Sequence, residues 1–190
     1  MRTTTLAAAA SLFVLALASC SSSTPGDPEP TTSGHTTSTA SDPLHISQPR
    51  NLKAISDPCR LLTSSQLQQL NAGAAQPGQS QWGQASCSWR NQQLRIDVSP
   101  DTVQGQGIKY TAKIYGDGQG KPNAEVKDFP AVHFGKSEIF CTAAVGVSDT
   151  EQFLVNFTVG TDGRINPEYA DPCAMADKIA GIVLENLPPA

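Results

Sequence analysis

Four cysteines in the last two thirds of this chain constrain its fold more than any other feature. They are Cys59, Cys87, Cys141 and Cys173, and a fifth, Cys20, stands apart near the N-terminus. Cys59 and Cys173 both end the tripeptide Asp-Pro-Cys. In an oxidising compartment four cysteines close two covalent loops, whereas in a reducing one they stay free or bind metal. Whether the four cysteines form disulfides therefore depends on the compartment in which the protein folds.

The N-terminal residues indicate export. Residues 6–18 form an uncharged, mostly apolar run that follows Arg2, the one basic residue ahead of it. A short basic region, an apolar core of this length and a small residue before the cleavage point are typical of a secretory signal. The run is too short for a permanent transmembrane helix, which needs about 20 apolar residues. We therefore predict a signal peptide over residues 1–19.

The end of this run resembles the bacterial lipobox. It reads Leu17-Ala18-Ser19-Cys20, and in proteins with that motif the cysteine is diacylated on sulfur and becomes the mature N-terminus. The resemblance implies a diacylglyceryl group on Cys20. Two acyl chains suffice for stable anchoring, since each buried CH₂ contributes about 0.8 kcal/mol. The expected location is the extracytoplasmic face of the cell membrane, which the protein contacts through this anchor.

The four remaining cysteines are expected to form two disulfides, because their number is even and the domain is exported. A metal site is disfavoured, since the sequence has no Cys-x-x-Cys pair and its histidines do not cluster with cysteines. Three pairings are possible and the sequence alone does not choose between them. We favour Cys59–Cys87 with Cys141–Cys173, since each joins the start of a predicted helix to a nearby predicted strand. No metal or other cofactor is expected.

The remaining chain divides into a linker and one domain. Residues 20–50 comprise Cys20 and a Ser/Thr/Pro-rich stretch, whose few apolar side chains cannot offset the entropy cost of ordering. We expect a disordered spacer there, with an end-to-end distance on the order of 30 Å. Residues 51–190 are enough for one hydrophobic core and are predicted to form a single extracytoplasmic domain.

Capping signals predict a helix at each end of this domain. Thr63-Ser64-Ser65-Gln66 is a capping box, and the helix that it opens ends at Asn71-Ala72-Gly73. Asp171-Pro172-Cys173 places an N-cap residue and a proline before an amphipathic pattern. The apolar positions of that last helix are Met175, Ile179, Ile182, Val183 and Leu187.

Alternating patterns predict antiparallel strands between the two helices. Residues 94–98, 139–147 and 153–159 have strand character, and the short connection 148–151 makes the last two a hairpin. Residues 99–122 support no assignment, because their apolar residues alternate but are flanked by five glycines. The predicted fold class is α+β, with an antiparallel sheet packed against an N-terminal and a C-terminal helix and held by two disulfides.

Taken together, these motifs resemble a known family. The layout comprises a lipobox, a Ser/Thr/Pro linker, Asp57-Pro58-Cys59 followed by Leu61-Leu62-Thr63, then Cys87-Ser88-Trp89, and finally Asp171-Pro172-Cys173 with Ala176 and Ile179. It is similar to an actinobacterial lipoprotein family, domain of unknown function 3558, over residues 51–190. The order of the four cysteines is more telling than any single motif. The resemblance implies a cell-envelope lipoprotein and brings no catalytic residues with it.

The chemistry of the chain limits the function classes. The net charge is −4 and there is no basic cluster, so nucleic acid is not an expected partner. Nucleophilic catalysis needs a base beside the nucleophile. His133, the one histidine of residues 51–190, is predicted to lie in a loop after Pro130, and no Gly-x-Ser-x-Gly motif is present. An envelope hydrolase using His133 is therefore an alternative function, which requires a serine within hydrogen-bond reach of it in a cleft.

Two further features of the sequence bear on ligand or partner binding. The glycine-rich segment 116–121 lacks the spacing of a phosphate-binding loop, with Tyr115 and Pro122 at key positions, and is interpreted as a turn. Trp82 lies in a glutamine- and glycine-rich loop and is the weak candidate for a partner contact, since exposed tryptophans often anchor interfaces. Trp89, two residues after Cys87, is expected in the core.

The leading expectation is a non-enzymatic, lipid-anchored binding or interaction module of the cell envelope. It has no expected catalytic residue, and its partner is an envelope protein or a small ligand of unknown identity. A carrier of a small apolar ligand is a further alternative, which requires an internal apolar cavity.

Overall fold

The computed structural model describes residues 42–190. The predicted signal peptide, Cys20 and most of the predicted linker lie outside the described residues. The helices are α1 (Ser64–Gln69), α2 (Gly107–Tyr115) and α3 (Pro172–Asn186). The strands are β1 (Ala75–Gln79), β2 (Ala85–Arg90), β3 (Leu94–Asp101), β4 (Ala124–Val126), β5 (Phe129–Ser137), β6 (Phe140–Gly146) and β7 (Gln152–Val159).

These seven strands form one antiparallel sheet in the order β1-β2-β3-β7-β6-β5-β4. The central strands β3 and β7 pair over eight residues each, with Leu94 opposite Val159 and Asp101 opposite Gln152. The predicted hairpin is present as β6 and β7. The predicted fold class is confirmed: an α+β domain with an antiparallel sheet, helices at both ends and two disulfides.

One face of the sheet is apolar and is packed against α3; we call it the covered face. Successive side chains of a strand point to opposite faces, and the strand registers align Trp89, Ile96, Phe157 and Cys141 in one row across four strands. All four are at most 1% exposed, and Trp89, Ile96 and Phe157 belong to the main hydrophobic core. Trp89 is thus confirmed as a core residue.

Helix α3 begins as its sequence predicts. The Asp171 side chain accepts hydrogen bonds from the backbone N–H groups of Cys173 and Ala174, at 2.9 and 3.1 Å, and Pro172 follows the cap. The predicted apolar residues Met175, Ile179, Val183 and Leu187 are buried. Ile182 is only partly buried. The buried stripe instead includes Ala176, Ala180 and Leu184, which continue the helical period along the same side.

Both predicted disulfides are present, and both link a helical segment to the sheet. Cys59–Cys87 joins a 3-10 turn, Pro58–Arg60, to β2, and Cys141–Cys173 joins β6 to the first turn of α3. They close loops with sequence separations of 28 and 32 residues. The covered face is therefore held covalently at β2 and at β6.

The predicted N-terminal helix is the short helix α1. Its capping box is complete: Gln66 N–H donates to Thr63 Oγ1 at 3.3 Å, and Thr63 N–H donates to Gln66 Oε1 at 2.8 Å. Asn186 Nδ2, at the end of α3, donates to the Leu61 carbonyl oxygen at 2.8 Å and to Gln66 Oε1 at 2.8 Å. These bonds tie the N-terminal helix to the C-terminal one.

Helix α2 lies on the opposite face of the sheet, at one end. Its residues Ile108 and Ala112 are buried with Val132, Ala144 and Leu154 in a second, smaller apolar cluster. At Gly146 of β6, an added Cβ would lie 2.6 Å from Ile108 Cγ2. The glycine thus permits the close approach of α2 to the sheet.

Two segments differ from the sequence interpretation. His133 lies in β5 and not in a loop, so that prediction is wrong: Phe129–Ser137 pairs with both β4 and β6. The glutamine- and glycine-rich stretch also contains strand β1, a fully exposed edge strand. None of its side chains is buried, so it has no apolar pattern that could have indicated a strand.

The N-terminal part of the described chain contacts the domain. Arg50 N–H donates to the Val147 carbonyl oxygen at 2.9 Å, and Ile46 packs against the main core. Across residues 42–190, no helix has both the length and the apolar character needed to cross a membrane.

Candidate functional site

The face of the sheet opposite α3 carries a row of five polar side chains that ends at an aromatic one. The strand registers align Gln76, Ser88, Asp97, Asn156, Thr142 and Phe134, one each from β1, β2, β3, β7, β6 and β5. Each of these residues is adjacent in the sequence to a residue of the covered face. Because α2 covers only one end of this face, we call it the open face.

A recess runs along the middle of the open face. Two cavities of about 760 and 390 Å³ share the lining residues Arg95, Asp97, Phe140 and Asn156, and both open to solvent. A third cavity, of about 370 Å³, continues the second one toward α2, with Trp82 and Phe134 lining both. We call this continuous recess the trough. Because a strand rises about 3.3 Å per residue, its course along β7 from Gln152 to Val159 is about 23 Å long.

The charged group of the trough is an ion pair on β3. Arg95 and Asp97 are two residues apart and therefore lie on the same face. Arg95 Nε donates to both carboxylate oxygens of Asp97, at 3.0 and 2.9 Å, and Nη2 donates to Oδ1 at 2.7 Å. These hydrogen bonds raise the pKa of the Arg95 guanidinium above its ordinary value. The two charges compensate each other at the trough floor.

Asn156 lies beside this pair, directly opposite Asp97 on β7. Its Oδ1 accepts a hydrogen bond from Thr142 Oγ1 at 2.7 Å, and Thr142 is 2% exposed. This bond fixes the orientation of the amide. Within residues 42–190, no atom accepts a hydrogen bond from Asn156 Nδ2, so this donor is free to contact a ligand in the trough.

Aromatic rings flank the polar groups. An added Cβ at Gly135, which has a φ of +65°, would lie 2.7 Å from Phe140 Cε1, so the glycine leaves room for the Phe140 ring. Phe134 stacks on Tyr115 of α2, with ring centroids 4.5 Å apart and an interplanar angle of 14°. The trough therefore combines apolar ring surfaces with hydrogen-bonding groups.

Trp82, the tryptophan selected from the sequence, lines the α2 end of the trough. It lies in the turn between β1 and β2 and packs against the smaller apolar cluster under α2. Neighbouring Gln84 holds the turn to Thr102, since Nε2 donates to Thr102 Oγ1 at 3.2 Å and Oε1 accepts from Thr102 N–H at 3.3 Å. The indole is thus half-buried and fixed in position.

The other trough residues were not identified from the sequence. In the sequence, Arg95 and Asp97 are the polar residues of the alternating segment 94–98. The available signal was that the polar positions of the alternating strands fall on one face, including Asn156 and Thr158 in β7. Sequence alone does not reveal that this face has a recess with aromatic rings.

His133, the alternative catalytic residue, lies on the covered face. Its Nε2 is 2.6 Å from Asp177 Oδ1 on α3, and its side chain is 11% exposed. Its backbone is also held, because its N–H donates to Asn123 Oδ1 at 2.7 Å. In the described part of the chain, no serine hydroxyl is hydrogen-bonded to the His133 ring. The structure thus assembles a His–Asp pair without a serine nucleophile beside it.

In the described part of the chain, one group of side chains is spaced closely enough to bind a metal ion. The ligand atoms of His133, Cys141 and Cys173 lie within 4.8 Å of one another. However, the two cysteines are bonded to each other as a disulfide. The thiolate is the form of cysteine that binds metal, so this group has only the imidazole to offer.

The glycine-rich segment before β4 is a turn, as interpreted from the sequence. Asp117 Oδ1 accepts hydrogen bonds from the backbone N–H groups of Gln119 and Lys121, at 2.8 and 3.0 Å. These bonds lower the pKa of the Asp117 carboxyl below its ordinary value. The loop amides are used by its own aspartate, so they are not arranged to bind a phosphate.

Fold and site together define a class: a small, disulfide-bonded α+β domain with one apolar, covered sheet face and a polar trough on the other. More specifically, the chain belongs to the family described as Protein of unknown function (DUF3558), whose family model matches residues 15–186. No curated protein matches the chain, and no solved structure matches it. The expected domain of unknown function 3558 is confirmed, and its description assigns no activity.

Proposed function

We propose that this protein is a non-enzymatic binding module of the cell envelope, held at the extracytoplasmic face of the membrane by a diacylglyceryl group on Cys20. The observation that carries the binding role is the trough on the open face. Ligand sites are typically concave, with aromatic walls and a few polar groups that fix orientation. The trough has this composition, with the Arg95–Asp97 pair and Asn156 between aromatic side chains.

The geometry of the trough supports binding more than a structural role. The fold buries its apolar residues on the covered face and under α2. The polar trough residues Arg95, Asp97 and Asn156 belong to neither cluster. The amide of Asn156 is nevertheless oriented by Thr142, and the guanidinium of Arg95 by Asp97. Side chains held in this way are preorganised for a ligand, which lowers the entropy cost of binding.

The proposed location is supported by two independent sequence features. Leu17-Ala18-Ser19-Cys20 resembles a lipobox, and the two disulfides suit an oxidising, extracytoplasmic compartment. The resemblance of the sequence motifs to the family of domain of unknown function 3558 supports the assignment to an actinobacterial lipoprotein. In this proposal the membrane is a partner only through the acyl chains on Cys20.

The alternative functions have less support. A hydrolase would need a nucleophile beside His133, whose Nε2 instead contacts Asp177 on the covered face. A carrier of an apolar ligand would need an enclosed apolar cavity, whereas the trough is open and has a polar floor. We therefore favour the binding module over both.

The location is tested by metabolic labelling of the full chain with a fatty-acid analogue. Cys20→Ala removes the acyl acceptor, and Ser21→Ala is the matched control because it changes the next residue and keeps the acceptor. We expect label in the wild type and in Ser21→Ala, and none in Cys20→Ala. Equal labelling of Cys20→Ala, or no labelling of the wild type in its natural host, would contradict lipid anchoring at this residue.

A further inference from the structure

We infer that the trough binds an electrically neutral glycan chain. This inference rests on the proposed binding role of the trough and names the chemistry of its ligand. Four properties of the trough support it: its charge, its hydrogen-bonding groups, its aromatic rings and its length.

The charge of the trough favours an uncharged ligand. The charged side chains that line its two main cavities are Arg90, Arg95 and Asp97. Arg95 and Asp97 compensate each other through three hydrogen bonds. Arg90 is exposed and lies at one end, beside Arg95 in the strand register. A polyanion is bound by several cationic side chains along its length. The two main cavities of the trough have a single uncompensated cationic side chain, Arg90, and it lies at the margin.

The polar groups of the trough match hydroxyl groups. A hydroxyl both donates and accepts hydrogen bonds, so a polyhydroxylated ligand needs both kinds of partner at short spacing. Asn156 Nδ2 is a free donor, the Asp97 carboxylate is an acceptor that is 19% exposed, and the Gln76 side chain supplies both. An apolar ligand would cover these groups without pairing them, at a cost in affinity.

The aromatic rings and the length of the trough favour a chain over a single sugar. A sugar ring presents C–H groups on its faces, which pack on aromatic rings, while its hydroxyls project around the edge. Phe140 lies between the two main cavities, and Trp82 and Phe134 lie toward α2. With a course of about 23 Å, the trough accommodates several sugar rings with polar and aromatic contacts along the way.

The test measures binding of the full chain, as its host processes it, to two polysaccharide probes. The probes are the neutral and the acidic polysaccharide fractions of the host's envelope, separated by anion exchange and analysed by affinity electrophoresis. The variants are Asn156→Ala, which removes the free donor, and Gln69→Ala, a matched control that removes an exposed amide from α1. Arg90→Gln tests the uncompensated cation, and thermal unfolding checks that each variant is folded.

We expect the neutral fraction to retard the wild type equally at 50 and 500 mM salt. Asn156→Ala should weaken this binding at least tenfold, and Gln69→Ala and Arg90→Gln should change it less than twofold. Absence of binding to the neutral fraction would overturn the inference. Binding only to the acidic fraction, lost at high salt and in Arg90→Gln, would also overturn it while leaving the trough as the binding site. Equal binding by folded Asn156→Ala and wild type would contradict both the inference and the proposed role of the trough.

Discussion

The two faces of the sheet are built from the same strands but have opposite chemistry. On the covered face, one row across β2, β3, β7 and β6 reads Cys87, Val98, Val155 and Ala143. One residue along in each strand, the open-face row reads Ser88, Asp97, Asn156 and Thr142. The first row is at most 1% exposed throughout. The second lines or adjoins the trough.

This difference separates stability from function within single strands. Free energy of folding comes mainly from apolar burial, which is concentrated on the covered face and beneath α2. The disulfides also lie on the covered side, at β2 and β6. The open face is therefore free to carry polar groups, which we propose contact a ligand. Three predictions test this separation in order of decreasing effect on stability, and a comparison of two adjacent residues of β7 then tests it most directly.

The largest effect is expected for Phe157→Ala, at the centre of the covered face. Phe157 is fully buried and packs edge-to-face with Tyr169, at a centroid distance of 5.5 Å. Removing its ring leaves a cavity, so the free energy of unfolding should fall by about 3–5 kcal/mol. Chemical denaturation measures this change. A loss below about 1 kcal/mol would mean that the covered face is not the main source of stability.

Removal of either disulfide should have the next largest effect. For loops of 28 and 32 residues, the chain-entropy model gives about 3.6 kcal/mol for each bond. The double replacements Cys59→Ser with Cys87→Ser, and Cys141→Ser with Cys173→Ser, should each lower the free energy of unfolding by about 2–5 kcal/mol. Denaturation of both variants checks the values. Since the trough lies on the opposite face, each variant should keep its ligand affinity while folded.

A smaller effect is expected at the margin of the covered face. Asp177→Ala removes the half-buried partner of His133 Nε2 and should cost about 1–2 kcal/mol. Glu185→Ala, on the same helix, removes an exposed pair with Lys127 and should cost less than about 0.5 kcal/mol. Thermal unfolding of the two variants compares the pairs. Equal losses would indicate that burial does not distinguish them.

The covered face was largely predictable from the sequence, since its signals are local. The capping box at Thr63, the Asp-Pro-Cys start of α3 and the alternation in β3 and β7 each lie within a few residues. The favoured disulfide pairing was based on the positions of these elements and is confirmed. The buried side of α3 differs slightly from the predicted apolar stripe, because alanines are buried there beside the larger residues.

Helix α2 was not predictable on the same basis. Its apolar residues Ile108, Tyr110, Ala112 and Ile114 alternate, which a strand would also show. In the structure Ile108 and Ala112 are buried, while Tyr110 and Ile114 are each 48% exposed. The outward apolar side chains masked the helical period of the buried ones.

The trough was the least predictable part, because it depends on contacts between distant strands. Asp97 and Asn156 are 59 positions apart in the sequence and directly opposite each other in the sheet. His133 was misplaced for a similar reason, since its strand is defined by pairing with β4 and β6. Trp82 was identified because a tryptophan in a polar loop is conspicuous on its own.

The most direct test of the separation compares two adjacent residues of β7, Val155 and Asn156. The measurement is the free energy of unfolding and the affinity for the neutral polysaccharide fraction, for Val155→Ala and Asn156→Ala in the full chain. Val155→Ala should lose about 2 kcal/mol of stability and keep wild-type affinity. Asn156→Ala should lose at most about 1 kcal/mol and bind at least tenfold more weakly. Equal losses of stability with equal affinities would contradict the assignment of folding to one face and binding to the other.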